Sequence, residues 1–429
     1  MSLRLLLLAI VSASFGTESL AADWPQWQGP NRDNKSAEKG LLTTFPADGP
    51  KLLWSVNELS AIGTGYGCPA IVGDKLFILG ADGAKKDAKE ACVCLTVKDG
   101  KPVWKTPLET GPGSFLDGWG GGTRSTPTVD GEFVYVLGSM GDLVCMNKLD
   151  GAVVWKKNLV GDFGGKIPVW GYSESVLVDG DQVVCTPGIK FGMIALNKKT
   201  GATVWECKEL TDGAGYSSIM PAVVGGVRQY VQQTMKTAVG VRATDGKLLW
   251  QVGELKRATA VIPSPIVKGD NAFFTAGYGA GCELFKLTPD GDGTKATKVY
   301  TSKVVQNQHG GVIELGGKIY GHSDSKKWVC FDMLAGGEDP IWSSDKLGKG
   351  SITYADNHFY CYSENEGTLA CIKATEAGWE ETGRFTIPKL SPTRPRQGKV
   401  WAHPVIANGK LYLRDYEILY CFDVSQNRS

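Results

Sequence analysis

Asp150-Gly151-Ala152-Val153-Val154-Trp155 is the stretch that decides the fold. A turn glycine leads into two β-branched residues, and an indole closes the run. The pattern returns as Asp99-Gly100-Lys101-Pro102-Val103-Trp104, Thr200-Gly201-Ala202-Thr203-Val204-Trp205 and Asp245-Gly246-Lys247-Leu248-Leu249-Trp250. Further out, Gly49-Pro50-Lys51-Leu52-Leu53-Trp54 lies upstream, and Val299-Tyr300, Ile341-Trp342 and Arg384-Phe385 carry the period downstream. Eight aromatic residues thus close eight stretches, at intervals of 42 to 51 residues. A period of that length, built from Val-, Ile- and Tyr-rich runs parted by glycine turns, marks the blades of a propeller.

The expected fold is all-β: an eight-bladed propeller of four-stranded antiparallel blades, with seven blades as the alternative if the terminal units merge. The second blade shows the layout. Arg124–Val129 is its inner strand, Asp130-Gly131 turns, and Phe133–Leu137, Leu143–Asn147 and Val153–Trp155 follow. Inner strands are expected to begin near Gly67, Thr123, Gly171, Ser217, Ile262, His309, Ser351 and Ala402. The last unit, Trp401 to Val424, has only three strands. Lys51–Val56 is expected to supply the fourth and close the ring, so that no long edge stays exposed. A lone blade cannot bury its own face, and the closing indole is the natural cover for the seam to its neighbour.

Residues 1–22 read as a secretory signal: Arg4, the apolar run Leu5 to Val11, then small residues at Ser19-Leu20-Ala21-Ala22. The apolar run is too short to span a bilayer, and no cysteine nearby offers a lipid anchor. The expected location is periplasmic or secreted. Residues 23–48 form a strap whose Trp24 and Trp27 call for packing against the propeller, which occupies residues 49–429. With 46 Lys and Arg against 45 Asp and Glu, the net charge is +1. That balance gives a polyanion no basic surface, so no nucleic-acid partner is expected. The basic run Pro392–Lys399 reads as a solvated loop.

Eleven cysteines in an exported chain invite a disulfide reading. Their placement argues for packing instead. Cys94 and Cys145 each stand ten residues before a closing tryptophan, a slot that Ala195 and Gly240 fill in the next two repeats. Cys330, Cys371 and Cys421 fall in the matching place, and cysteine there serves as a small hydrophobe. Cys92 and Cys94 lie too far apart along a strand to bond; Cys68 with Cys421 and Cys361 with Cys371 stay open.

Propellers take ligands at the channel mouth, where inner strands begin. The candidates there are Tyr66, Trp119, Arg124, Trp170, Tyr172, Glu174, Tyr216, His309, Trp401 and His403. Aromatic faces with a few convergent polar groups suit a small ligand. Arg124 and Glu174 also suit a plain ion pair between neighbouring blades. Metal signals are weak. Asp290 and Asp292 alternate as calcium ligands do, but lack the distal glutamate and sit where an Asp-Gly turn is needed anyway. Cys92-Val93-Cys94 has no histidine partner for zinc, no Gly-x-Ser-x-Gly elbow occurs, and Gly118–Gly122 does not open a helix.

The repeats resemble the quinoprotein-type propeller family, whose blades carry Ala-x-Asp, a turn, then Gly-x-x-x-Trp. Here the pattern stands as Ala195-Leu196-Asn197 with Gly201 to Trp205, and as Cys145-Met146-Asn147 with Gly151 to Trp155. The resemblance runs from Trp24 to Val424, and the opening Trp24-Pro25-Gln26-Trp27-Gln28-Gly29-Pro30 is similar to that of exported bacterial members. It implies one of two activities. One is a non-enzymatic scaffold, like that of the outer-membrane assembly machinery, holding an envelope protein, peptide or carbohydrate. The other is oxidation of an alcohol or sugar with pyrroloquinoline quinone and calcium, for which Trp170 or Trp401 would be the floor and Glu174 the carboxylate. The adjacent cysteine pair and the Cys-x-x-Cys-His of such dehydrogenases are absent. The expected function is therefore non-catalytic binding without a cofactor.

Overall fold

The computed structural model describes residues 22–426 apart from 47, 83–87, 109–118 and 254–258. The expected export signal, up to residue 21, lies outside the described residues. The strands form eight four-stranded antiparallel sheets arranged as an eight-bladed propeller. Blades 1 to 7 span residues 70–107, 128–158, 177–207, 220–252, 266–302, 312–344 and 350–386. Blade 8 takes three strands from residues 405–423 and its outer strand from Lys51–Val56, which pairs antiparallel with Ile418–Asp423. The seven-bladed alternative is ruled out.

Seven of the eight inner strands start later than their sequence runs imply; the seventh, expected near Ser351, begins at Gly350. The strand expected over Arg124–Val129 is Thr128–Asp130, and the others begin at Ala70, Leu177, Met220, Ile266, Val312, Gly350 and Val405. Pro69, Pro127, Pro265 and Pro404 stand directly before four of them. A proline has no N–H for the ladder, so pairing begins just after it. The residues ahead of each strand are thereby left as loops that turn over the channel mouth.

The repeat motif interlocks adjacent blades. The Trp104 indole Nε1–H donates to the Lys148 carbonyl of the next blade (3.1 Å), Trp155 to Lys198 (2.9 Å), Trp205 to Ala243 (3.0 Å) and, across the closure, Trp54 to Val97 (3.0 Å). The turn glycine of the next blade lies against that same ring. A methyl added at Gly151 would meet Trp104 at 2.6 Å, and one at Gly201 would meet Trp155 at 2.8 Å. Within each blade a small residue stands opposite the indole: Cys94 opposite Trp104, Cys145 opposite Trp155, Ala195 opposite Trp205, Gly240 opposite Trp250. The outer strand bulges one residue before the aromatic in blades 1 to 5 and 8, which turns the ring toward the seam. Burying one such side chain stabilises a seam by roughly 4–6 kcal/mol at most. All eleven cysteines are buried and free, so neither Cys68–Cys421 nor Cys361–Cys371 is bridged.

The segment before the ring crosses the channel. Trp24 exchanges backbone hydrogen bonds with Ile71 of blade 1, and Val129 N–H of blade 2 donates to the Pro25 carbonyl. Arg32 donates to the Ser175 and Val176 carbonyls of blade 3 (2.8 and 3.3 Å). Trp27 donates to Ser264 Oγ of blade 5 (3.1 Å). The Asn34 carbonyl accepts from the Tyr354 N–H of blade 7 and Ser36 N–H donates to the Tyr354 carbonyl, while the Glu38 carboxylate accepts from the N–H groups of Asn408 and Gly409 in blade 8. Gln28, Arg32 and Asn34 adopt positive φ, a strain the six-blade anchorage sustains. A second tie crosses the closing seam. Arg414, fully buried in blade 8, donates to the carbonyls of Gly67 (2.8 Å), Leu79 (2.9 Å) and Gly63 (3.3 Å) around blade 1. The run expected to be a solvated loop is also tied down: Arg394 is largely buried and lies 3.2 Å from Asp415.

Candidate functional site

The strap closes one end of the channel and leaves a cavity of about 370 Å³ at the mouth where the inner strands begin. Trp27 forms its floor beside His403, with ring centroids 4.7 Å apart. Tyr66, Trp119, Arg124, Trp170, Tyr216, His309, Trp401 and His403, eight of the sequence candidates, line it. Tyr172 and Glu174 do not. Tyr172 is buried and its hydroxyl donates to the Pro187 carbonyl (2.9 Å). Glu174 is buried and accepts from the Thr186 N–H (2.9 Å). The cause is alternation along an extended segment: Ser173 and Ser175 face the cavity, so Tyr172 and Glu174 turn away.

Glu174 faces the strap. Burial pushes its carboxyl up to about 8, opposed by the Thr186 hydrogen bonds and then by the charge of Arg32. The charge beside Glu174 is therefore Arg32, not the expected Arg124. Arg124 donates to the carbonyls of Gly120 (3.0 Å), Gly122 and Trp170 (both 3.2 Å) and lies over the Tyr66 ring at 5.1 Å. It is a positioning group for the mouth loops as much as a wall residue.

Aromatic faces dominate the wall. Tyr66 packs on Trp401 at 4.8 Å, and its hydroxyl donates to the Trp119 carbonyl (2.9 Å). Trp119 and Trp401 lie 6.4 Å apart with planes inclined by 21°. Trp170 and Tyr216 pack at 5.7 Å. His403 sits between donors and acceptors that define its state. Its Nε2 lies 2.8 Å from the His309 carbonyl, which only accepts, and its Nδ1 lies 3.3 Å from the Asn34 amide nitrogen, which only donates. That is a neutral ring with the proton on Nε2, and burial pushes its pKa down to about 4.

The polar corner holds His309 and Glu364. His309 Nε2 lies 3.3 Å from Glu364 Oε2, yet makes no hydrogen bond. Burial, then the charge of Lys349, holds the His309 imidazole well below its ordinary pKa. Glu364 accepts from Trp401 Nε1 (3.3 Å), and burial raises its carboxyl against the opposing charge of Lys349. Lys349 is itself 2.9 Å from Asp324.

Sequence reasoning missed Trp27, Tyr278, Gln308, Glu364 and Lys399 on this wall. Tyr278 and Glu364 come from turns between second and third strands. Because the second strand runs back antiparallel to the first, that turn returns to the mouth; the signal was topological. Asp290 and Asp292 lie at a hairpin tip, where Asp292 pairs with Arg242 (3.0 Å) and Lys247 (3.3 Å) of the neighbouring blade.

Fold and site together define a PQQ-like β-propeller whose channel is plugged at one end and open to an aromatic cavity at the other. The family model described as outer membrane protein assembly factor BamB matches residues 88–338, more than half of the sequence, and the chain belongs to that family. Among solved structures, BamB from Moraxella catarrhalis is similar over 88% of this chain and 98% of its own, at 12% identity and a TM-score of 0.58. The quinohemoprotein alcohol dehydrogenase from Comamonas testosteroni is similar over 95% of this chain and 81% of its own, at 13% identity and a TM-score of 0.62. The computationally designed Ika8 protein matches with 9% identity and a TM-score of 0.56, over 87% of this chain and 100% of its own. At these identities the likeness shows the fold alone. No curated protein matches the chain.

Quinone chemistry of the dehydrogenase kind needs calcium and converging oxygens to hold it. Among the described residues no three His, Cys, Asp or Glu side chains cluster. Glu364 is the one carboxylate among the cavity's lining residues, and it is engaged by Trp401. Glu174, the sequence candidate for the catalytic carboxylate, is not on the wall. Among the lining residues one carboxylate stands where a calcium-borne quinone would call for several converging oxygens.

Proposed function

We propose that the protein is a non-catalytic binding module of the cell envelope, holding a peptide or carbohydrate group of its partner in the channel-mouth cavity. The observation that carries this reading is the cavity itself: floored by Trp27 of the strap, walled by aromatic rings, and supplied with few polar groups. Such a site grips without needing a reactive group. Export is supported by the character of residues 1–22, and no helix among the described residues is long and apolar enough to cross a membrane. Kinship with an outer-membrane assembly factor supports a partner in the envelope.

The test is capture from envelope extracts by the immobilised mature protein, with the Trp119→Ala variant beside it. Trp119 is 42% exposed, so its loss should spare the fold. Capture that depends on Trp119 is expected; capture indifferent to it would reject the mouth as the site. Titration with pyrroloquinoline quinone and calcium, followed by dye reduction, tests the other reading. Turnover there would replace the module with a dehydrogenase.

A further inference from the structure

We infer that the group held in this cavity is a pyranose ring of a glycan, stacked on the indoles of Trp119 and Trp401 with a hydroxyl bridging His309 and Glu364. The inference rests on the reading above and names its ligand class.

Three observations carry it. The first is the gap at the polar corner. His309 is nine-tenths buried, lines the cavity, and its Nε2 has no hydrogen-bond partner although Glu364 Oε2 is 3.3 Å away. A buried polar nitrogen left unpaired in a native protein calls for a partner. A hydroxyl both donates and accepts, so one alcohol group pairs with the imidazole nitrogen and the carboxylate together. An aliphatic side chain of a peptide would leave the imidazole nitrogen unpaired.

The second is the charge balance. Arg124 is engaged by three carbonyls and the Tyr66 face. His403 is held neutral by its two partners. Lys399 and Glu364, of opposite sign, are the other charged lining residues. Because the donors of Arg124 are already taken by carbonyls, the wall offers hydrogen-bond partners to a polar ligand more than a free cation to an anionic one. A sugar ring suits that wall: C–H groups on its faces for the indoles, hydroxyls round its edge for the polar corner.

The third is the rim. Tyr278 lines the cavity and is 48% exposed, with φ at +58°. A tyrosine in the left-handed region is strained, and such strain concentrates at ligand clamps. Its N–H is anchored to Asp324 Oδ2 at 3.4 Å. Together with Trp119 it offers a second aromatic edge at the entrance, as a ring entering from outside would need.

The experiment is a titration of the mature protein with glucose, galactose, N-acetylglucosamine, cellobiose and maltose, read by tryptophan fluorescence and calorimetry. It is paired with envelope capture before and after periodate cleavage of vicinal diols. Expected are saturable binding of at least one sugar with a Kd of about 1 mM or tighter, weakening by about tenfold in Trp119→Ala and in Glu364→Gln, and loss of capture after periodate. Unchanged melting of Trp119→Ala separates lost contact from lost fold. No sugar bound, with Trp119-dependent capture that survives periodate, would overturn the glycan and leave a peptide-binding module. Capture indifferent to Trp119, with no sugar bound, would overturn both readings.

Discussion

Blade 3 contains its own control for the interlock between repeats. Gly201 and Gly180 are both turn glycines, with φ of +69° and +59°. Replacing either by alanine places a methyl-bearing residue in the left-handed region, at a cost of about 1–2 kcal/mol. They differ in what the methyl meets. At Gly180 nothing lies within 4 Å. At Gly201 the methyl would fall 2.8 Å from Trp155 Cδ2 and 2.9 Å from Cε3, atoms of a rigid ring whose Nε1 is already fixed on Lys198. The indole must move or the turn must open, and overpacking of this kind costs about 1–3 kcal/mol more. Gly201→Ala should therefore cost about 2–5 kcal/mol in total, and Gly180→Ala about 1–2 kcal/mol. Thermal melting and urea unfolding of the two variants measure the difference. A domain of 150–250 residues shifts by roughly 2–4 °C per kcal/mol, and a larger ring by less; Gly201→Ala should still melt a few degrees below Gly180→Ala. A Trp155→Leu background should shrink the gap, because the clash leaves with the ring. Equal melting of the two alanine variants would refute the interlock.

The remaining predictions concern closure and the buried charges. Arg414→Met should destabilise the protein by about 4 kcal/mol or more, since it leaves the carbonyls of Gly67, Leu79 and Gly63 unpaired in the closing seam; Arg414→Lys should recover little, because an ammonium lacks the planar fork, and urea unfolding compares the two. Glu174 has its pKa raised to about 8 from an ordinary 4.5, so the folded state binds the extra proton across that range. Stability should fall as pH rises from about 4.5 through 8, by up to a few kcal/mol; Glu174→Gln should flatten this dependence, which melting temperatures across that window will show. Deleting Lys51–Val56 removes the strand paired with Ile418–Asp423 and should lower the melting temperature and induce self-association at the bared edge; unaltered melting and a monomeric sedimentation profile would contradict the latch.

Much of the ring was legible because its repeat is local chemistry. Asp150 to Trp155 states a turn, a strand and a seam cover within six neighbouring residues, and the three-stranded last unit announces that Lys51–Val56 must travel to it. The small slot held by Cys145, Ala195 or Gly240 was visible as a pattern, though its reason, the indole directly opposite, appears only in the register. The mouth was legible in part. Aromatic and polar residues ahead of the inner strands marked its wall, but Tyr172 and Glu174 share that segment and face the other way. Side-chain direction in an extended stretch flips with each residue, and composition does not carry that phase.

What the amino-acid sequence determined by itself is the wheel: its period follows from a six-residue motif repeated until the units join, while the structure decided between eight and seven blades. What only the tertiary structure decided is the cavity. Trp27 is its floor because six blades anchor the strap across the channel, and Glu364 meets His309 because the turns after antiparallel second strands return to the mouth. Those residues are brought together by loops from different blades, and no local preference encodes a meeting of that kind.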